Sequence, residues 1–251
     1  MTNPTPLAGK AALVTGGSRG IGAAIVTRLA ADGADVAFSY VAATDRAEAL
    51  VREVVALGRR AFAIRSDQSD PAEVKRFVET AHKALGAIDI LVNSAGAGVF
   101  GTVDDPAGDP AALDRQIDIN VRGTAAAVRA AVPLMKDGGR IVSIGTSGSD
   151  HMPFPGFADY GATKAAVRAY ARGWARDLGA RNITVNVVEP GSIDTESNPQ
   201  TGPHADVQRA LSPLGRYGRP EDVAGAVAFL VGPDAAYVNG AALKVDGGQS
   251  A

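Results

Sequence analysis

The feature that most constrains the fold is the alternation of short apolar runs with helical patterns along the whole chain. The runs are continuously apolar, which is typical of strands in a sheet that is covered on both faces. Strands that alternate with helices form parallel sheets through right-handed crossovers. We therefore predict an α/β fold with a single doubly wound parallel sheet and helices on both faces. The predicted strands are residues 11–15, 35–40, 60–65, 88–92, 140–144, 183–188 and 242–245.

The helical patterns fall between these strands and show no internal repeat or interdomain linker. They predict helices at residues 21–31, 45–57, from Asp70-Pro71 onward, 111–135, 158–178 and 221–230. We therefore predict one domain over residues 1–251. Residues 192–214 are rich in Pro, Gly, Ser and Thr, too polar for a core and too long for a simple connection, and we predict that they form a mobile substrate lid.

Composition excludes several classes of function. The formal net charge of -2 provides no basic excess for phosphates, so we expect no nucleic-acid or membrane-surface partner. The chain has no cysteine, and its three histidines (His82, His151 and His204) lack ligand-like spacing, so we expect no metal site. No signal-peptide pattern or membrane-spanning apolar run is evident, and a cytoplasmic protein is expected.

A glycine-rich turn lies between the first predicted strand and the first helix, in Thr15-Gly16-Gly17-Ser18-Arg19-Gly20-Ile21-Gly22. Glycines at such a turn let the backbone approach a pyrophosphate and let the helix pack closely on the sheet. The helix N-terminus presents free N–H groups to the phosphates. The turn therefore predicts a nucleotide site that includes Gly16, Ser18, Arg19, Gly20, Ile21 and Gly22.

Tyr160 and Lys164 lie four residues apart on a predicted helix, so their side chains emerge from the same face. A nearby ammonium favours phenolate over phenol, and we expect Lys164 to lower the pKa of Tyr160 toward working pH. Such a phenol can act as general acid and base for a carbonyl/alcohol pair.

The Gly-x-x-x-Gly-x-Gly spacing and the Tyr-x-x-x-Lys pair together resemble the short-chain dehydrogenase/reductase family, over essentially the whole chain. The resemblance implies a Rossmann fold and an NAD(P)-dependent short-chain alcohol dehydrogenase or carbonyl reductase, similar to the NADP-dependent 3-oxoacyl reductases and carbonyl reductases. The substrate would be a small-molecule ketone or 3-oxoacyl compound, reduced reversibly to the alcohol.

The resemblance also bears on the choice between NAD and NADP. Members that use NAD usually carry an acidic residue at the end of the second strand, where this chain has Ser39-Tyr40. Arg19 lies in the glycine turn, and Thr44 and Arg46 follow the second strand. A cation and hydroxyls suit a 2′-phosphate, whereas a carboxylate would repel it. We therefore expect NADP rather than NAD.

Further cofactor contacts are implied by family motifs. Asp67, followed by Gln68, matches the aspartate that binds the adenine amino group. The run Asn93-Ser94-Ala95-Gly96 resembles a motif whose asparagine braces the sheet and whose small residues, Ala95 and Gly96, let the ribose pass. The segment that meets the nicotinamide corresponds to Pro190, Gly191, Ile193 and Thr195.

The resemblance implies a catalytic set as well. Tyr160 would give or take the proton, Lys164 would hold the nicotinamide ribose, and Asn120 would support Lys164 through a water. The hydroxyl that orients the substrate oxygen is Ser147 by its spacing from Tyr160, and Thr146 by register from the preceding strand. We prefer Ser147 on side-chain type and keep Thr146 as the alternative.

Two further expectations concern assembly and a rival function. Small residues on the predicted helices permit close packing against a second copy, and similar family members are commonly tetramers, so we expect a homotetramer or dimer. The region from Thr195, through Asn198-Pro199 and Gly202-Pro203, to the C-terminus also resembles a subgroup that includes a nucleotide-binding member in biofilm dispersal. The alternative function is therefore a nucleotide-binding regulatory protein that keeps the fold but has little or no turnover.

Overall fold

A computed structural model describes residues 5–251 of the chain and contains a seven-stranded sheet in the order β3-β2-β1-β4-β5-β6-β7. Every neighbouring pair of strands in the sheet is parallel. The predicted fold class is therefore confirmed. The strands are β1 (Ala11–Thr15), β2 (Asp35–Tyr40), β3 (Ala61–Arg65), β4 (Ile88–Asn93), β5 (Met135–Ile144), β6 (Thr184–Pro190) and β7 (Ala242–Val245).

Helices follow most of the strands, and the sequence signals explain where they begin. The Asp70 carboxylate accepts a hydrogen bond from the Ala72 amide at 2.8 Å, with proline in the first turn, as the predicted N-cap requires. The helices are α1 (Gly20–Ala31), α2 (Thr44–Ala56), α3 (Pro71–Leu85), α4 (Pro110–Ile117), α5 (Thr124–Ala131), α6 (Ala158–Asp177), α7 (Ala205–Leu211) and α8 (Pro220–Val231).

Each face of the sheet is covered by its own hydrophobic core. Successive side chains of a strand point to opposite faces, so Val14 packs in one core and Leu13 in the other. The first core joins the sheet to α1, α2 and α8, and the second joins it to α3, α5 and α6. This two-sided burial explains why the strands are continuously apolar.

The single helix predicted over residues 111–135 is wrong in its middle and at its end. One π-helical turn, Asp118–Gly123, separates α4 from α5, and β5 already begins at Met135. At this turn a Cβ on Gly123 would lie 2.2 Å from the Gln68 carbonyl oxygen, so the backbone approaches its neighbour closely. A 3.6-residue hydrophobic period does not reveal one extra residue in a turn. The first half of β5 was not predicted either, because Gly138 and Gly139 interrupt its apolar pattern.

The residues predicted as the lid (192–214) contain the short helix α7, which the sequence pattern did not show. The segment is tied to the body of the protein at both ends. Ile193 pairs with Gly218, and the Ser212 hydroxyl donates to the Gly247 carbonyl at 3.1 Å. Its mobility stays a prediction. Within residues 5–251, no helix has both the length and the apolar character that crossing a bilayer requires.

A substitution at Gly22 can test whether the start of α1 must pack closely against the glycine turn. A Cβ at this position would lie 2.2 Å from the Gly16 carbonyl oxygen, which is fixed backbone. Gly22→Ala is therefore expected to lower the free energy of unfolding by about 1–3 kcal/mol. Gly173→Ala is the matched control, because Gly173 lies in α6 with no atom near its added Cβ. It should be neutral or stabilise by about 0.5–1 kcal/mol in denaturant titrations. Equal effects of the two substitutions would contradict the prediction.

Candidate active site

A cleft of about 1630 Å³ opens at the carboxyl ends of the strands. It lies where β1 pairs with β4, the point at which the strand order reverses and ligands of doubly wound sheets bind. Its walls are formed by the segments that follow β1 to β6 and by part of the lid segment. The volume exceeds that of an ordinary small-ligand pocket.

The glycine turn has the close backbone packing that its sequence predicted. Gly16 has a φ of +66°, and a Cβ there would lie 2.8 Å from the Ala95 Cα. The N-terminus of α1 has no hydrogen bond from a capping side chain. Gly16, Ser18, Arg19, Gly20, Ile21 and Gly22 all line the cleft. The turn thus offers backbone donors in the arrangement that suits a pyrophosphate.

The residues expected near the adenosine ribose divide into two groups. Tyr40, Arg19 and Arg46 line the cleft, and Arg46 forms an ion pair with Glu196 of the lid segment. Ser39 also lines the cleft, but its Oγ accepts the Gly16 amide at 2.9 Å, so it holds the glycine turn. Thr44 begins α2 and is exposed, and it lies outside the residues that line the cleft.

The end of the cleft that the sequence predicts to hold adenine contains Asp67, Gln68 and Arg115, an arginine that the sequence analysis did not identify. Burial alone would raise the pKa of Asp67, but hydrogen bonds from Arg115 and Ser69 outweigh it and hold the pKa below its ordinary value. Arg115 comes from α4, where no local motif distinguishes it from a solvated arginine. The Gln68 side-chain nitrogen and the Ser66 hydroxyl are buried without a partner among residues 5–251, which fits a polar base.

The segment after β4 brings small residues against Lys164. Asn93 does not line the cleft; its amide donates to the Ser143 hydroxyl at 3.1 Å and joins β4 to β5. Ala95 and Gly96 line the cleft, and a Cβ on Gly96 would lie 3.2 Å from the Lys164 Nζ. Any larger residue at position 96 would displace this ammonium group.

Tyr160 and Lys164 lie side by side in the first part of α6. The Lys164 Nζ is 5.8 Å from the centre of the Tyr160 ring and donates to the Ile144 carbonyl at 2.9 Å. Both side chains line the cleft, and the Tyr160 hydroxyl makes no hydrogen bond to any of residues 5–251. The two groups expected from the sequence are therefore together and directed to the same space.

The electrostatics of this pair differ from the expectation. Burial raises the pKa of Tyr160 to about 12 and lowers the pKa of Lys164 to about 8. In the protein by itself, removal of the phenol from water outweighs the attraction of the ammonium for phenolate. The expected lowering of the Tyr160 pKa is therefore absent in this form.

Asn120 lies on the π-helical turn and is almost fully buried. Its amide donates to the Ala97 carbonyl at 2.8 Å and to the Thr163 hydroxyl at 2.9 Å, and its carbonyl accepts the Ala97 amide. Asn120 does not line the cleft. It fixes the segment after β4 to α6 beside Lys164, which is a positioning contact.

The two candidate hydroxyls after β5 are in different environments, although both line the cleft. The Thr146 hydroxyl donates to the Pro190 carbonyl at 3.5 Å and accepts the Gly148 amide, so it caps the short 3₁₀ turn Ser147–Ser149. The Ser147 hydroxyl makes no hydrogen bond to any of residues 5–251. The structure therefore leaves Ser147 as the hydroxyl that is available to a ligand.

The segment after β6 lies opposite the glycine turn. Pro190, Gly191, Ile193 and Thr195 all line the cleft. A Cβ on Gly20 would lie 3.4 Å from the Thr195 methyl carbon. A Cβ on Gly191 would lie 2.8 Å from Asp246, in the C-terminal Val245-Asp246-Gly247-Gly248 run. These contacts place the predicted nicotinamide segment across the cleft from the predicted pyrophosphate turn.

An aromatic wall, Phe100, Phe154, Phe157 and Tyr160, stands beside the phenol. The Phe100 ring centre lies 5.3 Å from that of Tyr160, and Phe157 meets Tyr160 edge-on at 5.2 Å. Phe100 is 53% exposed, so its ring faces the open cleft. No sequence pattern indicated Phe100, because it lies in a glycine-rich loop without periodicity.

Comparisons with known proteins agree with this geometry. A family model described as "Enoyl-(Acyl carrier protein) reductase" matches residues 16–250. The cyclic-di-GMP-binding biofilm dispersal mediator protein of Escherichia coli K12 is 45% identical, over 95% of this chain and 96% of its own.

Two solved structures show the fold and the cofactor of relatives. A short-chain dehydrogenase from Burkholderia cenocepacia J2315, in complex with NADP, is 49% identical with a TM-score of 0.96, covering 98% of this chain and 100% of that one. A blue fluorescent protein from a metagenomic library, in complex with NADPH, is 51% identical with a TM-score of 0.95 and the same coverage. The cofactor in both of these neighbours carries the 2′-phosphate, as the sequence led us to expect for this chain. The chain belongs to the short-chain dehydrogenase/reductase family.

Proposed function

We propose that this protein is an NADPH-dependent oxidoreductase that reduces a ketone or 3-oxoacyl carbonyl reversibly to the alcohol. The observation that carries the proposal is the pair of Tyr160 and Lys164, together on the wall of a cleft that also holds the glycine turn. A protein that only bound a nucleotide would have no need of a buried lysine beside a phenol.

The residues present fit NADPH, which when bound supplies the hydride. The glycine turn offers backbone N–H groups for the pyrophosphate, and Arg19 and Arg46 offer cations for the 2′-phosphate. The buried Gln68 amide is available to the adenine. Lys164 would hold the nicotinamide ribose, and Ile193 and Thr195 would hold the carboxamide.

The pKa values of the pair favour the direction of reduction. With a pKa of about 12, Tyr160 keeps its proton at neutral pH and can donate it to the much more basic alkoxide oxygen that forms from the carbonyl. With a pKa of about 8, Lys164 is still mainly protonated at pH 7 and can stabilise the phenolate that remains. The reverse reaction requires the phenolate first, which burial disfavours.

The aromatic wall indicates the kind of carbonyl compound. Phe100 and Phe154 present apolar rings beside Tyr160, and Val207 and Leu211 of α7 line the cleft from the lid segment. A substrate of modest size with an apolar or aromatic group next to its carbonyl would bury that group here, while Ser147 orients the carbonyl oxygen. For this reason we favour a small ketone over a carrier-bound acyl chain.

A second candidate is a nucleotide-binding regulatory protein with little or no turnover. The observation in its favour is the 45% identity with the Escherichia coli protein named for binding cyclic di-GMP.

Under either function, small residues on α5 and α6 would allow a second copy to pack closely, and we propose a homotetramer or dimer.

Tyr160→Phe separates the two functions. We expect wild-type protein to oxidise NADPH with at least one member of a panel of aryl ketones and β-keto esters, and Tyr160→Phe to lower kcat/KM at least about 100-fold because the proton donor is gone. The Kd for NADPH should stay within a few-fold. Tyr170→Phe is the matched control, since Tyr170 stacks on Trp174 on the same helix and does not line the cleft. Tight binding of NADPH or cyclic di-GMP by the wild type without any turnover would instead favour the binder.

The choice between the two hydroxyls can be tested by deleting each. Ser147→Ala is expected to lower kcat/KM by about 100-fold or more, because it removes the hydrogen bond to the developing oxyanion. Thr146→Val removes only a turn cap, so kcat/KM should fall less than about fivefold, with a small loss of thermal stability. Steady-state kinetics with the best ketone measures both effects. A large loss of kcat/KM from Thr146→Val alone would reverse the assignment.

Burial of Lys164 predicts how stability depends on pH. Its pKa is about 8 in the folded protein and ordinarily 10.5, so between these values the unfolded chain binds more protons than the folded one. The free energy of unfolding of wild type, relative to Lys164→Met, should therefore rise across pH 8–10.5, by up to about 3 kcal/mol. Denaturant titrations at several pH values measure it. Lys83 is exposed on α3, so the difference in free energy of unfolding between wild type and Lys83→Met should not change with pH. A difference between wild type and Lys164→Met that also does not change with pH would refute the prediction.

A further inference from the structure

The exposed rim of the cleft carries an ion pair whose acidic member, Glu196, has no role in the function proposed above. The Arg46 guanidinium of α2 bonds both carboxylate oxygens of Glu196, 150 residues further along the chain. Both residues line the cleft, and each side chain is about half exposed, at 55% and 52%. The pair links α2, which follows β2, to the lid segment next to Thr195.

Glu196 lies in the field of both arginines that suit a 2′-phosphate. A hydrogen bond from Arg46 lowers the pKa of Glu196 most, and the nearby charge of Arg19 lowers it further. In return, the hydrogen bond with Glu196 raises the pKa of Arg46. Arg19 itself forms no ion pair with any of residues 5–251. One carboxylate is therefore placed where an incoming anion would be received.

A phosphate monoester carries close to two negative charges at neutral pH and forms strong hydrogen bonds with arginine. It cannot share Arg46 with the Glu196 carboxylate without repulsion between the two anions. An exposed ion pair is weak, so the phosphate would prevail, but at the expense of the existing contact.

We propose that Glu196 is a specificity-determining residue that competes with the 2′-phosphate of NADP(H) for Arg46. This inference rests on the proposed function, because it assumes that NADP(H) occupies the cleft. Glu196 then weakens the binding of NADPH but not of NADH, which has no 2′-phosphate. Displacement of the carboxylate also releases the lid segment from α2, so that 2′-phosphate binding and the lid contact exclude each other.

The test is the affinity for the two cofactors, measured without any substrate. The Kd values for NADPH and NADH are obtained from the change in nicotinamide fluorescence for wild type, Glu196→Gln and Glu53→Gln. Glu53 is the matched control: it is exposed on the same helix α2, lies outside the cleft, and gives the same change in net charge. We expect Glu196→Gln to lower the Kd for NADPH about three- to fivefold and to leave the Kd for NADH unchanged.

Two further measurements make the result specific. The double variant Arg46→Gln/Glu196→Gln should bind NADPH no more tightly than Arg46→Gln alone, because the competition needs the arginine. The gain from Glu196→Gln should also shrink at high salt, since exposed charges are screened. An unchanged NADPH/NADH ratio in Glu196→Gln, or an equal gain in Glu53→Gln, overturns the inference alone. Failure of the wild type to bind NADPH at all overturns the proposed function together with it.

Discussion

The parallel pairing of β1 with β4 is the constraint on which the rest of the structure depends. It joins two halves of the chain whose next strands lie on opposite sides, so the segments that follow the strands diverge and leave a crevice. The pairing is extended beyond the strands by Thr15, whose hydroxyl accepts the Ser94 and Ala95 amides at 3.1 Å. This contact seats the segment after β4 against the glycine turn, where Gly16 and Ala95 nearly touch. The glycine turn and the segment after β4 therefore take their relative positions from that junction.

Lys164 is the group whose burial has the largest consequence for chemistry. It has one protein hydrogen-bond acceptor among the described residues, the Ile144 carbonyl, and its pKa falls because water is excluded. The same exclusion of water raises the pKa of Tyr160. The site therefore contains an ammonium group whose pKa lies close to neutral pH, beside a phenol that retains its proton. A charged ammonium and a neutral phenol can therefore coexist at neutral pH.

Charge is arranged differently at the two ends of the cleft. The end that contains Tyr160 is lined by aromatic rings and holds the buried Lys164 ammonium, whereas the other end carries exposed arginines, two of which have carboxylate partners. Arg46 is paired with Glu196, and Arg115 with Asp67. Arg19, which also lines this end, forms no ion pair with any of residues 5–251, so a ligand there meets one free cation and competes with carboxylates for the other two. Affinity there would depend on the strength of exposed ion pairs, which is small and sensitive to salt.

The sequence by itself determined the parallel α/β sheet, the glycine turn and the pairing of Tyr160 with Lys164. These features follow from local patterns: continuous apolar strands, a turn that only glycine can form, and two residues one helical turn apart. Tertiary structure alone decided the rest. It placed Phe100, Arg115 and Glu196 in the cleft, directed Ser39 to the glycine turn, and committed the Thr146 hydroxyl to a cap. It also raised the pKa of Tyr160, because exclusion of water depends on residues distant in the chain, which no local pattern records.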